Sequence, residues 1–349
     1  MRYYALYNLV GIAVGNDYPW HETLFINGVV TESETDYNAC AQKIKVSYRS
    51  ELPMEDVRFI GDGNYISPNA YVDKEYGVRI EKLNDGWNLI VSQECNEWLV
   101  IAMELSLLAT NHTWIHAAAL EKDGSVLLLP SWGGVGKTAT VCRFVRNYGW
   151  RLLGDDLIIV GEQGARPFLK PFVIYPYHRD LFPELFSQGE KKIVTNLAVS
   201  SMMSRAIPTV KRVLRIFPRV LAFLRKHNPQ SMRVLPHRLF TPEQLSEGGS
   251  PAKMVWLERS MKQEVHQEEI TAEMVASKAV TVSSVELFAA KLENVYHMCG
   301  CGMVTYDEVF GKMHKIIMNT ARLSACHLLE IPASVSIMDV GEIIYQKIN

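Results

Sequence analysis

One segment constrains the fold of this chain more than any other: an apolar run at residues 126–129 leads into a glycine-rich stretch that ends in lysine and threonine. A short buried strand, a glycine-rich turn and a helix that opens on lysine form the layout of a phosphate-binding loop, or P-loop. In such a loop, backbone N–H groups and a helix N-terminus face an anion, and the lysine reaches the outer phosphates. The residues predicted to bind the nucleotide are Gly133, Gly134, Val135, Gly136, Lys137, Thr138 and Ala139.

The residues that follow this loop fit a helix. Val141, Phe144 and Val145 recur at helical spacing, and Gly149 ends the pattern. The common P-loop pattern has glycine where this chain has Ser131, and serine lacks the conformational freedom of glycine. A glycine-rich connector that binds no ligand is the alternative, but such a connector has no need of lysine and threonine at the start of a helix.

Composition indicates a globular protein. The chain has 349 residues, 48% of them hydrophobic, and a formal net charge of −2. These values argue against a disordered chain and against one that binds nucleic acid over its whole surface. The apolar run at residues 98–110 is too short for a membrane span and includes Glu104. The six cysteines are scattered without a disulfide framework, and the N-terminus lacks a secretory signal, so we expect a cytoplasmic protein.

The chain divides into two regions that differ in their residue patterns. Residues 1–92 alternate apolar and polar positions in short runs separated by turn signals such as Asn84-Asp85-Gly86, which predicts a mainly β N-terminal domain. Residues 93–349 are predicted to form a nucleotide-binding domain with a helical insertion at about 190–250 and a largely helical C-terminal region. The basic segment 209–227 of the insertion could bind an acidic partner, nucleic acid or an anionic surface, or form a solvated helical hairpin.

An acidic pair and a histidine are the second signal. Asp155 and Asp156 lie between two short apolar runs, about twenty residues after Lys137. A phosphoryl-transfer site needs a carboxylate that helps to bind Mg²⁺ and often another that positions or deprotonates the acceptor hydroxyl. A hairpin turn, in which aspartate is common, is the structural alternative. His116 lies on the strand predicted before residues 126–129, so a β-hairpin would bring it to the loop; a buried core histidine is the alternative there.

The order of these elements resembles that of the HPr kinase/phosphorylase group of P-loop kinases, which shares a nucleotide-binding core with ATP-dependent phosphoenolpyruvate carboxykinases. The resemblance implies an α+β fold with a mixed, β-rich P-loop kinase core, and it implies ATP and Mg²⁺ as cofactors. Lys137 would then bind the transferring phosphate, while Thr138 and Asp156 would bind Mg²⁺. Asp155 would act as base toward a hydroxyl with the support of His116, although the sequence leaves open which aspartate is the base. The matching segments are residues 115–117, 126–129, 133–138 and 151–156.

The match departs from the family pattern at several positions. Ser131 and Gly133 exchange the usual glycine and serine, and Ala139 replaces an acidic residue. The Glu-Ile-Arg-Gly type of segment, with which bacterial HPr kinases engage their protein substrate, is not found in the sequence. The resemblance therefore implies a divergent relative, of the kind that occurs in biosynthetic gene clusters and in some cases phosphorylates a serine on a ribosomal peptide.

We therefore expect an ATP-dependent kinase that transfers the γ-phosphate to a hydroxyl of a peptide, a protein or a small molecule. A non-catalytic ATP-binding sensor or assembly module is the first alternative, and a carboxykinase-like enzyme is the second. Arg179 or His178 could reach the γ-phosphate, since arginine forms forked contacts with phosphate oxygens; a surface arginine at the end of an aromatic strand is the alternative. The sequence does not fix the oligomeric state, and a homo-oligomer is compatible with it.

Overall fold

The computed structural model describes residues 1–21, 31–187, 232–288 and 292–348. Two of the sequence-based predictions lie outside these ranges, namely the basic segment 209–227 and the greater part of the insertion at about 190–250. The architecture of the described residues is α+β with mixed sheets. No helix within these ranges is both long enough and apolar enough to cross a membrane.

The first sheet is formed by the N-terminal part of the chain. Its described strands are β1 Arg2–Leu6, β2 Val10–Val14, β3 Thr31–Glu32, β4 Gln42–Tyr48, β5 Arg58–Gly61, β6 Asn64–Ile66, β7 Ala70–Asp73, β8 Val78–Leu83 and β9 Gly86–Val91. They lie in the order β3-β1-β2-β4-β9-β8-β7-β6-β5. The pairs β2–β4 and β4–β9 are parallel, and all other neighbours in this order are antiparallel.

The turn predicted at Asn84-Asp85-Gly86 is present. Leu83 of β8 pairs with Gly86 of β9, so Asn84 and Asp85 form a two-residue hairpin loop. Gly86 has φ +146°, and a Cβ atom added there would lie 1.9 Å from the carbonyl oxygen of Lys43. Only glycine allows β4 and β9 to approach this closely.

One helix lies between two strands of the first sheet, and another follows its last strand in the chain. The helix α1 Glu34–Ala39 begins at Ser33, whose hydroxyl accepts a hydrogen bond of 3.1 Å from the backbone N–H of Asp36. The helix α2 Asn96–Ala109 follows β9, and most of its side chains are buried. A helix that is apolar on nearly all sides needs partners on nearly all sides.

The second sheet carries the predicted P-loop. Its described strands are β10 His112–Lys122, β11 Ser125–Pro130, β12 Arg151–Gly154, β13 Leu157–Gly161, β14 Gly164–Pro167, β17 Ser250–Ser260, β18 His266–Glu269 and β19 Ala325–Pro332. They lie in the order β14-β13-β10-β11-β17-β19-β18, with β12 paired to β10. The pairs β11–β17 and β17–β19 are parallel, and the others are antiparallel. The hairpin predicted from residues 115–129 is therefore formed by β10 and β11.

The C-terminal region is largely helical, as the sequence predicts, but it also contributes strands to the second sheet. Its described helices are α5 Ala272–Phe288, α6 Leu292–Gly300, α7 Lys312–Arg322 and α8 Val340–Ile348, with a π-helical turn at Asp307–Gly311. The strands β18 and β19 also belong to this region and were not expected. Leu329 and Ile331 of β19 are buried, and β19 pairs with β17 on one side and with β18 on the other. A short apolar run of this kind has no periodicity that separates a buried strand from a buried helix.

The contacts divide the chain into two compact units. The first is formed by Met1–Lys170 together with Pro242–Asn349, and it includes both large sheets. The domain boundary expected near residue 92 stays a prediction, and it falls inside this unit. The second unit is Pro171–Thr241. Its described elements are β15 Phe172–Ile174, α4 Pro183–Ser187 and β16 Met232–Val234, and the two strands pair antiparallel.

Candidate functional site

The glycine-rich loop joins β11 to the helix α3 Lys137–Tyr148. Gly134 and Gly136 have φ values of +79° and +108°, which lie in the left-handed region that favours glycine. A Cβ atom on Gly136 would also lie 3.1 Å from the side chain of Val340 in α8. Ser131 is not among the residues with positive φ, so the missing glycine at this position costs the loop no strain.

Lys137 is folded back onto the loop. Its Nζ lies 3.0 Å from the backbone oxygens of Ser131 and Trp132, 3.2 Å from the Ser131 hydroxyl and 3.1 Å from Nε2 of His116. These four acceptors satisfy the three N–H groups of the ammonium, although the side chain is buried. Burial lowers the pKa of Lys137, and the carboxylates of Asp155 and Asp156 oppose this shift.

Thr138 is joined to the first residue of the acidic pair. Its hydroxyl donates a hydrogen bond of 2.8 Å to Oδ2 of Asp155. The other oxygen of this carboxyl, Oδ1, is buried and has no hydrogen-bond partner within the described part of the chain. Burial raises the pKa of Asp155 to about 7, although the Thr138 hydrogen bond and the Lys137 charge both lower it. The result is a carboxyl with one oxygen still free to bind a proton, a metal ion or a hydroxyl.

Asp156, the second residue of the pair, is held by two basic side chains. Its Oδ1 lies 3.1 Å from Nδ1 of His116, and its Oδ2 forms an ion pair with Lys170. Burial alone would raise the pKa of Asp156, but the contact with His116 and the charge of Lys170 outweigh it and hold the pKa well below its usual range. Asp156 is therefore an anion at neutral pH, and its side chain is still 40% exposed.

The contacts of His116 assign a role to each of its ring nitrogens. Nε2 lies within hydrogen-bond distance of the Lys137 ammonium, and Nδ1 lies 3.1 Å from Oδ1 of Asp156. When Lys137 donates to Nε2, the proton of a neutral ring is on Nδ1, the nitrogen that faces Asp156. The backbone N–H of His116 donates a hydrogen bond of 3.0 Å to the hydroxyl of Ser283 in α5. The residue next to it, Ala117, donates its N–H to the backbone oxygen of Asp156. Lys137, His116 and Asp156 therefore form a continuous line of contacts.

The remaining predicted residues differ in what they can offer a ligand. Gly133 and Gly134 are exposed, whereas the side chains of Val135 and Ala139 are buried, so the last two could contact a phosphate only through backbone N–H groups. His178 and Arg179 belong to the second unit and have contacts within it. The N–H of Tyr175 donates to Nδ1 of His178, and the Arg179 guanidinium lies over the ring of Phe186. Burial lowers the pKa of His178 to about 4.

Sequence reasoning did not identify three residues of the site as parts of it. Lys170 forms an ion pair with Asp156, and the hydroxyl of Ser283 accepts a hydrogen bond from the backbone N–H of His116. Glu286 lies beside the glycine-rich loop. A Cβ atom on Gly133 would come within 3.9 Å of Oε1 of Glu286. All three are distant in sequence from their partners, and no motif marks them.

The implied Mg²⁺ is compatible with this set of oxygens. Within the described ranges, no group of three His, Cys, Asp or Glu side chains is arranged to hold a metal ion. Mg²⁺ in phosphoryl-transfer sites does not require such a group, because it is bound through one or two side-chain oxygens, the substrate phosphates and water. The hydroxyl oxygen of Thr138 and Oδ2 of Asp155 are 2.8 Å apart. Adjacent ligands in an octahedron with metal–oxygen distances of about 2.1 Å are separated by about 3 Å.

No protein-family model matches the chain, and no curated protein sequence matches it. The resemblance described above therefore rests on the motif residues of the sequence alone.

Proposed function

We propose that the chain is an ATP- and Mg²⁺-dependent kinase that transfers the γ-phosphate to a hydroxyl group. The observation that carries this proposal is the meeting of three sequence signals at one place. Thr138 contacts Asp155, and Lys137 contacts His116, which in turn contacts Asp156. A glycine-rich connector that binds no ligand does not require two carboxylates and a histidine beside its lysine. The P-loop kinase type of core and the cofactors ATP and Mg²⁺ are parts of the same proposal.

The contacts favour a division of labour between the aspartates that differs from the one suggested by the resemblance. Thr138 and Asp155 are the neighbours whose oxygens fit one Mg²⁺, so we assign Asp155 to the metal. Bound Mg²⁺ would neutralise charge on the phosphates during transfer. Asp156 points to the histidine instead and is assigned to the acceptor.

The chain's own residues then have distinct tasks. Lys137 leaves its loop acceptors to contact the outer phosphates and stabilises the charge on the transferring group. Asp156 accepts a hydrogen bond from the acceptor hydroxyl and takes its proton, while the His116 Nδ1–H keeps the carboxylate oriented. The acceptor oxygen forms a bond to the γ-phosphorus, and the bond from that phosphorus to the β–γ bridging oxygen breaks, which leaves ADP. Asp156 is a weak base, which suits a loose transition state in which the proton moves late.

Acceptor screening with γ-labelled ATP tests the proposal. The purified protein is incubated with Mg²⁺ and with two sets of acceptors. These are serine-containing peptides encoded by neighbouring genes and a panel of hydroxyl-bearing metabolites. The products are identified by mass spectrometry. We expect the Asp156→Asn variant to lower kcat about 100-fold or more. Asp155→Asn should instead raise the Mg²⁺ concentration needed for half-maximal rate by about tenfold.

A matched control comes from the other end of the β10–β11 hairpin. Asp123 has φ +53°, a conformation that asparagine adopts readily, so Asp123→Asn changes the same functional group away from the site. This variant should keep the activity of the wild type. Saturable ATP binding without transfer to any acceptor would contradict the kinase and favour a non-catalytic ATP-binding module.

A further inference from the structure

We propose that Lys170 is a positioning residue that keeps Asp156 on the acceptor side of the site and away from the metal. This inference rests on the proposed kinase function. Two adjacent carboxylates beside one Mg²⁺ compete for it, because both carry hard oxygen ligands. The contacts of Asp156 remove it from this competition. One of its oxygens faces His116 and the other is paired with Lys170, so Asp155 alone remains for Thr138 and the metal.

The chain that carries Lys170 is fixed to the strand that carries His116. Phe168 is buried, and its ring lies 4.9 Å from the ring of Trp114 in β10. The backbone N–H of Lys170 donates a hydrogen bond of 2.9 Å to the oxygen of Phe168, and Pro171 restricts the backbone of Lys170 from the other side. The lysine therefore starts from a rigid position.

A second contact fixes Pro167, the residue before Phe168. The hydroxyl of Tyr7, in the turn between β1 and β2, donates a hydrogen bond of 2.8 Å to the backbone oxygen of Pro167. The guanidinium of Arg166 lies over the same tyrosine ring at 5.0 Å. The segment that leads to Lys170 is thus supported from the first sheet as well as from β10.

The geometry leaves room for the acceptor. A carboxylate has about four lone-pair positions, and His116 and Lys170 use one on each oxygen of Asp156. The side chains of Asp156 and Lys170 are 40% and 30% exposed, so the pair is reachable from solvent. Partly exposed ion pairs contribute little to stability. Lys170 therefore matters more for the orientation and charge of the Asp156 carboxylate than for the stability of the fold.

The test compares Lys170→Met with Lys170→Arg in the transfer assay. We expect Lys170→Met to lower kcat about tenfold while the Kd for ATP measured without Mg²⁺ changes less than about twofold. Arginine retains the charge and the reach, so Lys170→Arg should recover most of the rate. Lys122→Met, at the far end of β10, is the matched control and should behave like the wild type.

A double-mutant cycle separates positioning from a general structural effect. In the Asp156→Asn background, Lys170→Met should cause no further loss of kcat, because the group that it positions is gone. Additive losses, or a Lys170→Met variant with wild-type kcat, would overturn the inference while the kinase stands. Absence of transfer by the wild type would instead overturn the proposed function, so the two failures are distinguishable.

Discussion

Glu104 of α2 is completely buried against the strand that carries His116, and its charge state can be tested directly. The backbone N–H of Trp114 donates a hydrogen bond of 3.1 Å to one oxygen of this carboxyl, and the hydroxyl of Thr113 donates to the other. Burial raises the pKa of Glu104 from 4.5 to about 8, and these hydrogen bonds offset only part of that shift. The folded protein therefore keeps a proton on Glu104 at pH values where the unfolded chain has lost it.

The sign of the pH dependence follows from this difference. Between pH 4.5 and about pH 8 the folded state binds more protons at Glu104 than the unfolded state, so the free energy of unfolding falls as the pH rises. The stabilising contribution of the proton is complete below pH 4.5 and is lost as the pH passes about 8. One pH unit within this window corresponds to about 1.4 kcal/mol. From about pH 5 to about pH 7, Glu104 alone lowers the free energy of unfolding by about 2.5 kcal/mol.

The Glu104→Gln variant removes this titration with little change of shape. Its amide oxygen can accept from the N–H of Trp114, and its amide N–H can donate to the Thr113 hydroxyl, which is free to rotate. Urea unfolding followed by tryptophan fluorescence, from about pH 5 to about pH 8, measures the difference. Glu97→Gln, an exposed position on the same helix, is the control and should follow the wild type. If Glu104→Gln also runs parallel to the wild type, the reasoning is refuted.

Three further substitutions test the glycine-rich loop and the packing of α3, and urea unfolding measures the stability of each variant. In Gly134→Ala the added Cβ atom meets no neighbouring atom, so the free energy of unfolding should fall by about 1 kcal/mol through the positive φ alone. Gly136→Ala has the same kind of φ and also contacts Val340, so it should lose more than about 2 kcal/mol and bind ATP more weakly; equal losses for the two variants would contradict this account. Gly341→Ala would place its Cβ 3.0 Å from the Cα of Thr140, and we expect a loss of about 1–3 kcal/mol as α8 is pushed from α3. A wild-type stability for Gly341→Ala would show that the two helices separate without cost.

Local signals in the sequence predicted the parts of the site that are close together along the chain. The β10–β11 hairpin, the loop and the two short strands beside the acidic pair each follow from a few neighbouring residues, and the hairpin brings His116 to Lys137 as expected. The two-residue turn before Gly86 is another case of this kind. In each case turn chemistry and the apolar pattern point to the same structure.

The parts that could not be predicted depend on contacts between distant segments. Lys170 and Ser283 have no motif, and only the folded chain brings them to Asp156 and His116. The hydrogen bond between Thr138 and Asp155 could not be predicted either, because two adjacent aspartates are equivalent in a sequence. In the folded chain their side chains have different partners. The strand β19 was missed since its partners are the distant β17 and β18.

We propose that the glycine-rich loop positions the γ-phosphate of ATP for transfer to a hydroxyl. The most direct measurement compares label in the acceptor when the protein is supplied with γ-labelled or α-labelled ATP and Mg²⁺. We predict label only from the γ position, one ADP for each phosphorylated acceptor, and no transfer by Lys137→Met, which lacks the ammonium that contacts the phosphates. Label from the α position, or undiminished transfer by Lys137→Met, would contradict this proposal.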